Sequence, residues 1–176
     1  MSGTRLTARD IRRLLRLLDA ELAAAGVIGE LHLVGGAVMC LALGARDATR
    51  DVDGLFRPAR EVRRAAARVA ARAGVPERWL NDAVKGFLGP DNEFVPFLEL
   101  PHLRVFVASP RYLLAMKCAA MRLGEEFHDL DDVRYLLRHL GVESAGEALA
   151  IVRLYFEDAD IPPKTRYALE ELLERR

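Results

Sequence analysis

The spacing of apolar residues predicts a long amphipathic helix near the start of the chain. Thr7 can cap this helix, and Gly26 follows its expected end at about Ala25. Its apolar positions recur three and four residues apart, as one buried helix face requires: Ile11, Leu14, Leu15, Leu18 and Leu22. We therefore expect this helix to pack on the core.

Short apolar runs further along the chain predict four strands. They cover residues 31–34, 51–56, 94–100 and 103–108. Pro96 cannot donate a ladder hydrogen bond, so it predicts an edge position or a bulge for the third strand. Helical spacing predicts further helices over residues 37–43, 60–73, 110–123, 128–140, 144–156 and 162–175. The pattern thus predicts an α+β fold, with an α/β part in residues 1–109 and a helical part in residues 110–176 that packs on it as one compact unit.

The composition fits a compact domain that is long enough to bury a core. The chain has 176 residues, of which 51% are hydrophobic and 30% are charged. Its formal net charge is zero, so no global charge excess favours nucleic acid. Cys40 and Cys118 match no metal or disulfide spacing, and no apolar run approaches the roughly 18 residues of a membrane span. We therefore expect a cytoplasmic protein with no membrane partner.

Candidate chemistry is concentrated between residues 31 and 56. Gly35 and Gly36 end an apolar run, and a tight glycine turn lets backbone N–H groups approach a phosphate. Asp51 and Asp53 are two apart on a predicted strand, so they share one face with their Cα atoms about 6.6 Å apart. Two such carboxylates suit Mg²⁺, which completes its shell with water and substrate phosphates. Together the two features predict nucleotide chemistry.

Each feature also has a simpler interpretation. The glycine pair can be an ordinary strand-to-helix turn, and the carboxylates can be a solvated strand end. Thr49 either donates a hydrogen bond to a phosphate or satisfies the turn. Arg50 either reaches the leaving phosphates or is an exposed residue at the start of the strand.

A stripe of arginines follows on the next predicted helix. It consists of residues spaced four apart: Arg60, Arg64, Arg68 and Arg72. Such a stripe can contact RNA phosphates. Alternatively, alanines and a valine of this helix face the core and the arginines are its solvated side.

A lysine and two aspartates form a second candidate group. Lys117 lies among apolar helix neighbours, so its ammonium needs an anionic partner or a route to solvent. It either extends to the surface or points at a triphosphate. Asp129 and Asp132 are three apart at the start of the next predicted helix, where they adjoin and also favour the positive end of the helix dipole. The pair either orients Lys117 or contributes to a metal site.

Two motifs together resemble the nucleotidyltransferases of the DNA polymerase β superfamily, in its minimal bacterial branch. The first is the order strand, Gly-Gly, helix and Thr-x-Asp-x-Asp on the next strand. The second is the run LLAMKCAAMRLGEEFHDLDDVRYL, which is similar to a signature of AbiEii-type enzymes and of a shorter, related uncharacterised family. The segment PERWLND, with Trp79 and Asn81, also resembles the shorter family, although Trp79 alone is better explained as a core residue. The resemblance covers about residues 30–140.

The resemblance implies a fold, an activity and a set of partners. The fold is a small mixed β-sheet nucleotidyltransferase core flanked by helices and followed by a C-terminal helical bundle. The activity is transfer of a nucleoside monophosphate from a nucleoside triphosphate to an acceptor hydroxyl, with Mg²⁺ or Mn²⁺ as cofactor. Some members add nucleotides to tRNA, and several are toxins of toxin-antitoxin or phage-defence systems. The implied partners are therefore a tRNA or protein acceptor and an antitoxin protein.

The resemblance also implies roles for individual residues. By this resemblance, Asp51 and Asp53 are metal ligands, and Gly35 and Gly36 frame the phosphate loop. Lys117 contacts nucleotide phosphate, and Asp132, or else Asp129, completes the site.

One departure from the superfamily pattern keeps other functions open. A third carboxylate normally stands on a later strand, and this chain has no clear equivalent. Glu99 shares strand parity with Val95 and Phe97 and is the best candidate for a further metal ligand. Without it the site relies on Asp132 or binds nucleotide without turnover. Three interpretations therefore remain: an active nucleotidyltransferase, a catalytically silent nucleotide-binding or regulatory module, and a scaffold that binds a protein partner.

Overall fold

A computed structural model describes residues 5–89, 91–121 and 128–174 of the chain. The chain divides into two compact units. The first consists of Met1–Gly86 with Phe94–Ala108, and the second of Phe87–Glu93 with Ser109–Arg176. The first unit holds the strands and the second is helical.

Three helices and two sheets make up the described part of the first unit. The helices are α1 Ala8–Ala24, α2 Gly35–Leu41 and α3 Ala59–Ala73. The strands are β1 Leu6–Thr7, β2 Gly29–Val34, β3 Ala48–Thr49, β4 Val52–Arg57, β5 Leu80–Asn81, β6 Phe94–Leu100 and β7 Leu103–Ala108. Short 3-10 turns occupy Glu77–Trp79 and Ala83–Phe87.

The larger sheet has five strands in the order β5, β4, β2, β7, β6. Strand β2 pairs antiparallel with β4 and parallel with β7, so the sheet is mixed. β5 pairs parallel with β4, β6 pairs antiparallel with β7, and the short β1 and β3 form a separate antiparallel pair. The predicted α+β class is confirmed.

Helix α1 shows how closely the local sequence specifies its structure. The Thr7 hydroxyl accepts a hydrogen bond from the Asp10 N–H at 3.2 Å, and the Asp10 carboxylate accepts one from the Thr7 N–H at 2.9 Å. This reciprocal capping box satisfies two N–H groups that a helix start otherwise leaves open. The predicted apolar face is buried, and Leu15, Leu18 and Leu22 are fully inaccessible. The helix and its burial were therefore predictable from spacing alone.

The structure confirms both positions predicted for Pro96, an edge strand and a bulge. Strand β6 lies at the edge of the sheet, and its pairing with β7 shifts register between Pro96 and Leu98. The missing N–H of proline interrupts the ladder there. This bulge helps to fix where Glu99 lies along the strand.

The second unit contains four helices among its described residues: α4 Pro110–Ala119, α5 Asp129–His139, α6 Ala145–Val152 and α7 Pro163–Glu174. Ser109 caps α4 by accepting a hydrogen bond from the Tyr112 N–H at 3.2 Å, and Pro110 occupies the first helical position. α4 packs against α5 and α6, and α6 packs against α7. The Thr165 hydroxyl of α7 also donates to the Cys118 carbonyl of α4 at 2.7 Å.

Some predicted boundaries are wrong by a few residues. α2 begins at Gly35 rather than residue 37, and α6 ends at Val152 rather than residue 156, where the chain tightens into a turn. α4 ends at Ala119; residues 122 and 123 of the predicted helix lie outside the described residues. Both cysteines are buried, and they form no disulfide with each other. Within the described ranges, no helix combines the length and apolar character needed to cross a membrane.

Candidate active site

The two glycines after β2 are required for different physical reasons. Gly35 has φ +66°, a left-handed conformation that strains any residue with a Cβ. A Cβ on Gly36 would lie 2.7 Å from Thr49 Oγ1 and 2.9 Å from Arg46 Nη1. The turn is therefore a backbone segment closely covered by a hydroxyl and a guanidinium.

The two candidate carboxylates lie at the same end of the sheet as this turn. Asp53 is in β4, where it pairs with Val34, the last residue of β2. Its Oδ2 atom lies 3.5 Å from the position a Cβ on Gly35 would occupy. Val52 is fully buried, so the side chains on either side of it, Asp51 and Asp53, point to the opposite face of the strand. Both are half-buried, and the structure thus brings Asp53 and the glycine turn together.

Asn81 joins this group through the pairing of β5 with β4. It lies opposite Asp53 in the parallel register. Its Nδ2 donates a hydrogen bond to Asp51 Oδ2 at 3.2 Å, and its Oδ1 accepts one from the Ala83 N–H at 3.3 Å. The second bond fixes the orientation of the amide, because only the oxygen can accept from Ala83. Asn81 is therefore held with its donor toward Asp51.

Asp82, the residue after Asn81, anchors the turn that carries Asn81. The Asp82 carboxylate pairs with Lys85 at 2.6 Å and with Arg63 of α3. These hydrogen bonds, led by the one from Lys85, lower the pKa of Asp82. Trp79, just before β5, is 1% exposed and donates to the Ala66 carbonyl at 3.0 Å, which confirms it as a core residue. The PERWLND segment thus has a structural role on both sides of Asn81.

Thr49 and Arg50 occupy different environments beside the carboxylates. Thr49 lies in β3 opposite Leu6, is 7% exposed, and places its hydroxyl over Gly36. Arg50 is exposed in the bend between β3 and β4. Of the two, Thr49 is the one that the structure holds against the glycine turn.

The structure does not bring Glu99 to the carboxylate pair. Glu99 pairs with Arg104, which lies in the same row as Glu30 and Arg57. Arg57 is four residues beyond Asp53, about 13 Å along β4, and β6 is three strand spacings from β4, about 14 Å. The Glu99 side chain is 82% exposed and lies 3.9 Å from Arg104. The assignment of Glu99 as a metal ligand is therefore corrected: it is a solvated residue of the edge strand.

The arginine stripe is divided between two environments. Arg68 and Arg72 both donate to the carboxylate of Glu21 on α1, with 2.7 Å for the Arg68 bond, and these bonds lower the pKa of Glu21. Arg60 and Arg64 are exposed on α3. Half of the stripe thus forms an inter-helix contact, which accounts for Arg68 and Arg72 without RNA.

In the second unit, Lys117 is held by both predicted aspartates. Its Nζ lies 3.0 Å from Asp129 Oδ1 and 2.8 Å from Asp132 Oδ2. The Lys117 side chain is 11% exposed, and the aspartate side chains are 4% and 2% exposed. The Lys117 side chain therefore does not extend to solvent in this structure. The pair does orient Lys117, because the first turn of α5 presents both carboxylates to one ammonium.

A metal ion in the first unit would have two carboxylate ligands from the chain. Within residues 5–89, 91–121 and 128–174, no group of three or more His, Cys, Asp or Glu side chains is arranged to hold a metal ion. Mg²⁺ is commonly bound through one or two carboxylates and completed by water and substrate phosphates. The donor set of Asp51 and Asp53 therefore fits a metal that arrives with a nucleotide.

The chain has no significant match among protein-family models, curated proteins or solved structures.

Arg46 and the orienting role of Asn81 were not anticipated from the sequence. Asn81 could have been found, since it stands within the PERWLND segment. Arg46 lies in a segment with no periodic pattern between α2 and β3, so nothing in the sequence signalled its approach to Gly36.

Proposed function

We propose that this chain is a metal-dependent nucleotidyltransferase, built on a small nucleotidyltransferase core, that moves a nucleoside monophosphate from a nucleoside triphosphate to an acceptor hydroxyl. The observation that carries the proposal is the convergence at one end of the sheet. There Asp53 Oδ2 approaches a glycine turn without side chains, and Asp51 is held by Asn81. A glycine turn beside two carboxylates is the pairing that metal-assisted phosphoryl chemistry uses.

The residues that would hold Mg²⁺ or Mn²⁺ are Asp51 and Asp53. The ion would offset phosphate charge and favour attack on the α-phosphorus with loss of pyrophosphate. The chain's own residues mainly position the reactants. Gly35 and Gly36 add no side chain of their own at the turn, and Asn81 fixes one carboxylate.

For the second unit, the proposal gives Lys117 the role that the resemblance implies. Lys117 supplies a cation for nucleotide phosphate, and Asp129 and Asp132 orient it. Lys117 and Asp132 are thus proposed as functional residues, with Asp129 as an orienting partner.

The acceptor follows from the same resemblance. A tRNA or a protein hydroxyl is the proposed acceptor class, and the biological setting is a toxin paired with an antitoxin protein. The exposed Arg60 and Arg64 remain as proposed RNA contacts, because no ion pair to Glu21 accounts for them as it does for Arg68 and Arg72.

Incubation with labelled nucleotides tests the activity. The full chain is incubated with each α-³²P-labelled nucleoside triphosphate, Mg²⁺ or Mn²⁺, and separate pools of total tRNA and cell protein. We expect label to enter one pool. Absence of label from every pool, with nucleotide still raising the melting temperature, would instead favour the silent binding module.

Removing the side-chain amide of Asn81 should raise the Mg²⁺ concentration that the reaction requires. In Asn81→Ala, Asp51 loses a hydrogen bond to a charged group, which is worth about 1.5 kcal/mol or roughly tenfold. We expect the Mg²⁺ concentration for half-maximal transfer to rise by about that factor. Asn92→Ala, which changes an exposed asparagine, should leave it unchanged. An unchanged Mg²⁺ dependence in Asn81→Ala would show that Asn81 does not position Asp51.

A further inference from the structure

Helices α1 and α3 present a surface that consists of arginine and alanine. Every exposed residue of these two helices is one or the other, and none is an aspartate or a glutamate. None of the exposed large hydrophobic residues in the described part of the chain lies on either helix. The groups that this surface offers to a partner are therefore guanidiniums.

The outer faces of the two helices carry five of these arginines. Arg9, Arg13 and Arg16 of α1 fall within about 60° of one another on the helix, on the side opposite its buried leucines. Arg60 and Arg64 lie opposite the buried face of α3, which packs against α1. We call these five residues the α1–α3 arginine surface.

The acidic residues of α1 are engaged in contacts within the chain. Asp10 completes the capping box at the start of the helix. Asp19 accepts a hydrogen bond from a backbone N–H of the turn between β6 and β7 at 2.7 Å. Glu21 is held by two arginines of α3, and α3 itself has five arginines and one glutamate. The two helices therefore keep an excess of positive charge at their surface.

The α1–α3 arginine surface lies on the opposite side of the sheet from the candidate carboxylates. A Cβ on Gly29 of β2 would lie 2.7 Å from Leu22 of α1 and 3.4 Å from Val62 of α3, so both helices cover the face of Gly29. Asp53 pairs with Val34 of β2. Residues 29 and 34 point to opposite faces because side chains alternate along a strand, and directly paired residues share a face. A partner on α1 and α3 is thus bound away from the proposed reaction centre.

The chemistry of this surface fits the phosphates of a nucleic-acid backbone. Each guanidinium can donate two parallel hydrogen bonds to one phosphate. A helix that binds a membrane surface instead presents a large apolar face to the lipid. The apolar faces of α1 and α3 are buried within the fold. The observations therefore favour a phosphodiester polymer over a lipid surface.

We propose that the α1–α3 arginine surface anchors the phosphate backbone of an RNA, independently of base sequence and away from the reacting hydroxyl. The inference assigns a binding role to α1 and places the whole surface across the sheet from Asp51 and Asp53. RNA is the phosphodiester polymer that also carries acceptor hydroxyls, so the choice of RNA rests on the proposed function. The role of the surface is to bind and hold the RNA.

The test measures binding of fluorescently labelled total tRNA to the full chain without nucleotide, over a range of salt concentrations. The variant carries Arg9→Gln, Arg13→Gln and Arg16→Gln. Each lost phosphate contact removes roughly 0.7–0.9 from the slope of log affinity against log salt. We therefore expect the slope to decrease by about 2 and the affinity at about 0.1 M salt to fall at least about tenfold.

A control variant with the same change in net charge separates location from charge. It replaces three exposed arginines of the second unit with glutamine: Arg134, Arg138 and Arg153. We expect its affinity for tRNA to stay within about threefold of the wild type, because contacts rather than distant screened charges carry the binding. Equal losses in the two variants would show that affinity follows net charge and would overturn the proposal. So would the absence of tRNA binding by the wild type, or tighter binding to DNA of the same length or to phosphatidylserine vesicles.

Two further measurements keep the test decisive. If the α1 variant is unfolded by its melting temperature, the double variant with Arg60→Gln and Arg64→Gln decides, with an expected decrease in slope of about 1 to 2. Where tRNA accepts label, KM for tRNA should rise at least about tenfold in the α1 variant, with kcat within about twofold of the wild type. Failure of the proposed function is distinguishable, because it appears as absence of transfer while tRNA still binds through α1.

Discussion

Replacing Asp53 with asparagine should lower kcat for nucleotidyl transfer at least about a thousandfold. Asparagine keeps the shape and the backbone pairing with Val34 but lacks the charge that holds a divalent cation. A loss of about 4 kcal/mol of transition-state stabilisation corresponds to this factor. The measurement is label transfer from α-³²P-labelled nucleotide, with the melting temperature recorded on the same sample.

Asp47→Asn provides the matched control for this experiment. Asp47 is an exposed aspartate just before β3, so the same chemical change there should leave kcat within about twofold of the wild type, since exposed substitutions change little. If Asp53→Asn retains a tenth of the wild-type activity while folded, Asp53 does not hold the catalytic metal.

Removing the Lys117 ammonium should give the largest loss of stability. In Lys117→Met, Asp129 and Asp132 lose a shared cation in a nearly inaccessible environment. Removing one partner of a buried ion pair costs about 3–5 kcal/mol. We expect the free energy of unfolding, measured by urea denaturation at pH 7, to fall by that amount.

An exposed ion pair on the same helix supplies the comparison. Arg134 pairs with Asp131 at 2.8 Å, and their side chains are 45% and 72% exposed. Arg134→Met should therefore cost less than about 1 kcal/mol. Adding Asp132→Asn to Lys117→Met should recover part of the loss, because it removes one of the two buried carboxylate charges. A cost of under 1 kcal/mol for Lys117→Met would show that the lysine is not what neutralises the two aspartates.

The sequence predicted the regular elements well because their signals are local. The capping box and the apolar spacing of α1 lie within a single segment, and Pro96 by itself signals the irregularity of β6. The two-residue strands β1, β3 and β5 were missed because pairing with distant strands, rather than their own residues, defines them.

The candidate site also contains some residues that the local sequence could identify and others that it could not. Gly35, Gly36, Asp51 and Asp53 could be identified from spacing, and the approach of Asp53 to Gly35 agrees with that grouping. The position of Glu99 could not be identified, because it depends on strand order and register across the whole sheet.

Two further residues of the site could be recognised only from contacts in the folded structure. Arg46 reaches Gly36 from an irregular segment, and Asn81 reaches Asp51 through a parallel pairing of short strands. Neither relation leaves a periodic trace in the sequence. The structure therefore adds these two residues to the proposed site.

We propose that the protein transfers the α-phosphoryl group together with its nucleoside. Parallel reactions with nucleotide labelled at the α or at the γ phosphate test this proposal. The full chain is incubated with Mg²⁺, the acceptor pools and one nucleoside triphosphate at a time, labelled with ³²P either at the α or at the γ position. We expect α-label to enter an acceptor pool while γ-label leaves as pyrophosphate. Entry of γ-label into an acceptor, or the absence of α-label from every pool with every nucleotide, would contradict it.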